Sequence, residues 1–84
     1  MSKIRVYTTE PCSFCLRVKG LLRSHGVDYE EINLAKDPSG RAALVRETGM
    51  MSFPQVLVGT ELLGGYAEVQ AAADSGRLEE LLAA

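Results

Sequence analysis

The sequence predicts an α/β fold: a four-stranded mixed sheet flanked by helices on both faces, in the order β-α-β-α-β-β-α. Three features predict it. A β-branched and aromatic run at residues 4–7 leads into apolar residues at helical spacing. A second extended run is followed by a capped helix start at Asp37-Pro38. Residues 55–58 and 61–63 flank Gly59-Thr60, the spacing of a tight hairpin. A strand–helix–strand unit pairs its strands in parallel by a right-handed crossover, whereas a two-residue turn pairs them antiparallel, so the sheet is mixed.

Taken in order, the first strand covers residues 4–7, and residues 8–11 form a loop. A helix follows over 13–24, with Cys15, Val18 and Leu22 on one face and Leu21 beside them. Arg17, Lys19 and Arg23 fall at its polar positions, as a solvated face. His25-Gly26 ends it, with glycine as the terminating residue. Residues 27–34 read as the second strand. Val27 and Tyr29 share one parity, while Ile32 and Leu34 share the other, which suits a strand covered on both faces or one with a local bulge. The second helix starts with Asp37 as cap and Pro38 in its first turn, carries Ala42, Ala43, Leu44 and Val45, and stops near Gly49. After the hairpin, Gly64-Gly65 breaks the chain before a helix over 66–74. Ser75-Gly76 interrupts that helix, and residues 77–84 add a short closing helix. There is no repeat, low-complexity tract or linker, so residues 1–84 read as a single domain.

Composition narrows the function classes. The chain is 46% hydrophobic and 24% charged, enough apolar material to offset chain entropy. Its net charge of −2 supplies no general basic surface for nucleic acid. No apolar run reaches the length of a membrane span, and the N-terminal residues lack the apolar stretch of a signal peptide. A reducing cytoplasm is the expected location. The two cysteines are spaced C-x-x-C, fewer than a secreted disulfide scaffold of this size carries. A structural zinc site needs four ligands, and only His25 is left to join the thiols. A purely structural disulfide is a poor reading, because so short a loop gains little from closure.

The placement of C-x-x-C matters most. It closes the first strand–loop segment and opens the first helix. Cys12 then sits at the helix N-terminus, where unpaired amides and the helix dipole stabilise a thiolate, the nucleophilic form. Cys15, one turn on and more buried, is placed to attack a mixed disulfide formed at Cys12. The competing reading is two small buried hydrophobes. Ser52-Phe53-Pro54, just before a strand, is a second feature. Were Pro54 cis, the backbone of residue 53 would face the thiols and could pair with an extended thiol ligand; a plain strand-start proline is the other reading. Gly64-Gly65-Tyr66 is a third. Its glycines permit close backbone approach and positive φ, and the helix after them offers free amides to a carboxylate, unless it is only a hairpin-to-helix turn.

Together these segments resemble the glutaredoxins. Residues Tyr7-Thr8-Thr9-Glu10-Pro11-Cys12-Ser13-Phe14-Cys15 are similar to that family's first strand and C-P-Y-C active site. Ser52-Phe53-Pro54 is similar to its T-V-P segment with a cis proline, and Gly64-Gly65-Tyr66 to its G-G motif. The resemblance implies a thioredoxin-like fold and reduction of protein disulfides and glutathione mixed disulfides, with glutathione as co-substrate. It implies Cys12 as nucleophile and Cys15 as resolving thiol. Phe14 would line the groove where a Tyr usually stands, the backbone of Phe53 beside Pro54 would pair with the cysteinyl part of glutathione, and Gly65 and Tyr66 would begin the segment holding its γ-glutamyl end. Disulfide-containing or glutathionylated proteins are the implied partners of a monomer.

The chain departs from the family at Thr9, where many members carry Lys, and at Met50-Met51, where many carry a basic or polar residue. Ala67-Glu68 stand where a Ser, Thr or Asp and then an acid usually follow, and Ser13 replaces the usual Pro. The lost polar contacts leave open another low-molecular-weight thiol, or service as an electron donor to ribonucleotide reductase. Ser13 leaves open a [2Fe–2S] carrier in which Cys12 of each of two subunits ligates the cluster. His25, at the helix end, is expected to cap it and not to pair with Cys12. Tyr7 and Tyr29 are expected to pack in the sheet. Met50-Met51 reads either as ordinary packing or as a soft apolar patch for a protein partner.

Overall fold

The computed structural model describes residues 3–83. Its elements are β1 (Ile4–Thr8), α1 (Ser13–Ser24), β2 (Glu30–Asn33), α2 (Pro38–Thr48), β3 (Gln55–Val58), β4 (Glu61–Gly64), α3 (Tyr66–Ser75) and α4 (Arg77–Ala83). The four strands form one mixed sheet in the order β2-β1-β3-β4. β1 runs parallel to β2 and antiparallel to β3, and β3 runs antiparallel to β4. This is the expected four-stranded architecture, and Gly59, at φ +60°, makes the expected tight turn between β3 and β4. The expected end of the closing helix at Ala84 lies outside the described residues.

Alternation along β1 divides the molecule into layers. Ile4, Val6 and Thr8 are buried on one face, where Ile4, Val6, Val56 and Val58 pack against Val18 and Leu22 of α1, Val69 and Ala72 of α3, and Leu78 and Leu81 of α4. The opposite face meets α2: Arg5 approaches Glu47 at 3.9 Å, and Thr48 bonds Gln55 at 2.8 Å. Helices therefore cover both faces. The caps work as the residue types predict. Asp37 Oδ1 accepts from Gly40 N–H at 2.9 Å, and Gly49 and Gly76 end α2 and α3 in the left-handed conformation.

The second strand departs from expectation. It covers only Glu30–Asn33, not 27–34, and it is an edge strand with three of its four residues exposed. The parallel ladder with β1 runs only from Arg5–Glu30 to Thr8–Asn33, so residues 27–29 lie outside it. Val27 instead donates its N–H to Leu22 O at 3.0 Å, and Val27 and Tyr29 pack on the core edge from the loop. The mixed parity of that stretch thus reflects a loop joined to a short edge strand, not a doubly covered strand or a bulge. The irregularity in the sheet lies elsewhere, between Val56 and Leu57 where β3 meets β4.

Candidate active site

β1 ends at Thr8, and four residues later the chain enters α1 through Cys12, its N-cap. Cys12 is extended (φ −156°, ψ 100°), and its sulfur accepts a hydrogen bond from Cys15 N–H at 3.1 Å. Ser, Thr, Asp or Asn usually supplies that acceptor, so here a sulfur occupies the capping position. A thiolate accepts such a bond better than a thiol and is also favoured by the positive end of a helix dipole, so the position suits an anionic sulfur. Cys12 is half-buried, whereas Cys15 is 2% exposed. The two are joined as a disulfide, with Cα atoms 5.3 Å apart. One thiol is accessible at a helix terminus and its partner is sheltered, which is the asymmetry that thiol exchange by attack and then internal resolution requires.

Two grooves adjoin this region. The first, of about 250 Å³, contains all five residues expected to hold a small thiol: Phe14, Phe53, Pro54, Gly65 and Tyr66. They come from the first turn of α1, the segment before β3, and the junction of β4 with α3. The Phe53–Pro54 peptide is cis, which the sequence left open; the Glu10–Pro11 peptide is also cis, which it did not suggest. The Phe14 and Tyr66 rings lie 6.0 Å apart and link the N-termini of α1 and α3. The second groove, of about 710 Å³, is lined by Cys12 and Cys15 together with Thr8, Lys19 and Glu31. His25 lies on a separate hollow with Lys3 and Leu82, consistent with no Cys–His pair.

The two glycines of the G-G motif differ. Gly64 has φ +121°, and a Cβ there would stand 2.7 Å from Glu68 Oε1 and 2.9 Å from its Cγ, so only glycine fits. Gly65, at φ −92°, needs no special conformation; its nearest neighbours are Glu68 Oε1 and Pro54 O, each 3.5 Å from an added Cβ. That approach joins the proline segment to the start of α3. Glu68 folds back over the helix start and accepts from Gly65 N–H at 2.7 Å.

Some residues matter more, or differently, than the sequence indicated. Gln55 is 1% exposed and binds the loop before β3 at two points and the end of α2 at a third. Its Nε2 donates to Met50 O at 3.0 Å and Ser52 O at 2.9 Å, and its Oε1 accepts from Thr48 Oγ1 at 2.8 Å. A lone polar residue opening an apolar strand, just after the proline, was the available signal. The three basic residues of α1 are not simply solvated. Arg17 stacks over Phe14 at 5.2 Å, Arg23 bonds the Tyr29 hydroxyl at 3.2 Å, and Lys19 pairs with Glu31 at 3.0 Å. Met51 is 82% exposed, while Met50 is partly covered beside the first groove.

The family model that matches this chain is Glutaredoxin, over residues 4–63. A glutaredoxin of Pseudomonas aeruginosa is 38% identical over 84 residues, all of this chain and all of that protein. Glutaredoxin 3 of Escherichia coli strain K12 is 30% identical over 82 residues, covering 98% of this chain and 99% of its own. The crystal structure of a buckwheat glutaredoxin–glutathione complex superposes with a TM-score of 0.87 at 30% identity, covering 98% of this chain and 77% of that one. On matches of that extent, to sequences and to a solved structure alike, the chain belongs to the glutaredoxin family and is a thiol–disulfide oxidoreductase.

Proposed function

We propose that this oxidoreductase uses glutathione as its small thiol and acts in a reducing cytoplasm on glutathionylated and disulfide-bearing proteins. The observation that carries the reading is the convergence of Phe14, Phe53, Pro54, Gly65 and Tyr66 on one groove next to the helix that bears Cys12. The backbone beside Pro54 offers strand-like pairing to the cysteinyl part of the tripeptide, and the first-turn amides of α3 beyond Gly65, whose own N–H is taken by Glu68, are offered to its γ-glutamyl carboxylate. The buckwheat glutaredoxin solved with glutathione supports the same ligand. No Lys or Arg lines this groove, so the amides must carry the recognition of charge.

In the proposed cycle the Cys12 thiolate attacks a substrate disulfide, forming a mixed disulfide and expelling one thiolate. Cys15, or glutathione, then displaces the second thiol from its bond with Cys12. When Cys15 does so, the Cys12–Cys15 disulfide forms and two electrons have passed to the substrate; two glutathiones return them and leave as glutathione disulfide. An iron–sulfur role for Cys12, a different small thiol and service to ribonucleotide reductase gain no support from the geometry or the relatives.

The test is turnover of a glutathione mixed disulfide and of a protein disulfide by the wild type and by two single variants. Cys12→Ser is expected to abolish both activities. Cys15→Ser is expected to keep deglutathionylation and lose dithiol reduction. Equal loss in both variants, with both folded, would contradict this division of labour, and turnover that another small thiol supports but glutathione does not would reject the ligand.

A further inference from the structure

Outside the small-thiol groove, a polar cluster lies beside the cysteines. Lys19 Nζ donates to Glu31 Oε2 at 3.0 Å, and the Thr8 hydroxyl, 1% exposed, donates to the same oxygen at 2.9 Å. Three elements thus meet at one carboxylate oxygen: β1 through Thr8, α1 through Lys19 and β2 through Glu31. All three residues line the 710 Å³ groove that Cys12 and Cys15 also line. Lys19 follows Cys15 by four residues on α1, so the two side chains are neighbours on one helix face. The Lys19 side chain is only 18% exposed, far less than a solvated surface lysine. Two other charges face the cluster. Arg23, from α1, is held by the Tyr29 hydroxyl, and Glu10, from the loop before Cys12, accepts from Asn33 Nδ2 at 2.8 Å.

We propose that Lys19 and Glu31 form a charge-balanced pair that sets the thiolate content and redox poise of the Cys12–Cys15 couple, as positioning residues that act through the sulfurs. An unpaired ammonium beside the cysteines would stabilise their thiolates, favour the reduced form and make the protein more oxidising. An unpaired carboxylate would do the reverse. Bound together, the two charges nearly cancel, and the buried Thr8 hydroxyl fixes the carboxylate against the helix. Burial alone would raise the Glu31 pKa, but hydrogen bonds from Lys19 and Thr8, with the charges of Lys19 and Arg23, outweigh it and hold the carboxyl below its ordinary value. Glu31 therefore stays ionised wherever thiols titrate.

The inference rests on the dithiol cycle proposed above. In its second half Cys15 gives its proton to water in the groove. Its sulfur bonds to that of Cys12, the bond from Cys12 to the substrate sulfur breaks, and the leaving thiolate takes the electron pair. Negative charge develops on Cys15 one helical turn from Lys19.

The experiment uses the reduced full chain and the variants Glu31→Gln, Lys19→Met, their combination and Lys19→Arg. The pH profile of iodoacetamide alkylation and the equilibrium with a dithiothreitol redox buffer are read for each. Glu31→Gln keeps an oxygen for Lys19 and Thr8 and removes only the charge. It is expected to raise the alkylation rate on the acid side of the profile by about threefold, a modest change because the pair is partly exposed, and to make the couple more oxidising. Lys19→Met is expected to shift both readings the opposite way, the double variant to restore the wild-type values, and Lys19→Arg to leave them in place. Single variants that shift both readings in the same direction, or that are folded and shift neither, would overturn the proposal. If Lys19→Met fails to fold, the sign of the Glu31→Gln shift decides. Neither reading needs turnover or glutathione, so an inactive wild type would count against the proposed cycle alone.

Discussion

A single backbone angle separates two glycines that look equivalent in the sequence. Gly64→Ala places a Cβ in the left-handed region and against Glu68, and it is expected to cost about 1–3 kcal/mol of stability. Gly65→Ala meets nothing closer than 3.5 Å and is expected to cost less than about 1 kcal/mol. Urea denaturation of both variants measures the contrast, and similar losses would refute it. Glu31 has a consequence of its own. Its folded-state pKa is depressed, so its contribution to stability is complete above the unfolded value and is lost as pH falls through the folded one. Stability should therefore decline as pH drops below about 4.3, the ordinary glutamate value. Lys19→Met should flatten that part of the curve, as denaturant titrations from pH 6 down to about pH 2 would record.

Between elements, the segment from Met50 to Pro54 has no regular structure of its own, and the amide of Gln55 holds it. Gln55→Ala removes a buried group that satisfies two carbonyls and the Thr48 hydroxyl, at an expected cost of about 1–3 kcal/mol. If this loop also shapes the small-thiol groove, the KM for a glutathione mixed disulfide should rise more than kcat falls. An unchanged KM would show that the loop keeps its form without the amide. The local geometry at this scale was largely legible beforehand. A helix opening at C-x-x-C, a proline before a strand and a glycine pair before a helix all follow from local preferences. The role of Gln55 was not, because its three partners are recognisable only once the loop has folded back over β3. The extent of β2 escaped for a similar reason: only the residues that pair with β1 form it, and Val27 and Tyr29 pack on the core edge instead.

Over the whole molecule, the main apolar layer lies between the sheet and α1, α3 and α4, with Leu44 and Leu57 buried outside it, and a domain this small has little margin. Leu22 is fully buried at the centre of that layer, so Leu22→Ala is expected to cost about 2–5 kcal/mol and to lower the thermal midpoint well beyond any surface change. A midpoint within a few degrees of the wild type would show that the layer repacks. By itself the sequence determined what depends on near neighbours: the helices and their caps, the hairpin turn, the mixed sheet, and two cysteines spaced one helical turn apart at a helix start. Only the tertiary structure decided which strand lies at the edge, that Phe14, Phe53, Pro54, Gly65 and Tyr66 share a groove, and that Lys19 turns to Glu31 instead of to water. The reason is physical. Spacing along a chain records local backbone preference, whereas the meeting of side chains from distant elements depends on sheet order and packing, which no short stretch of residues encodes alone.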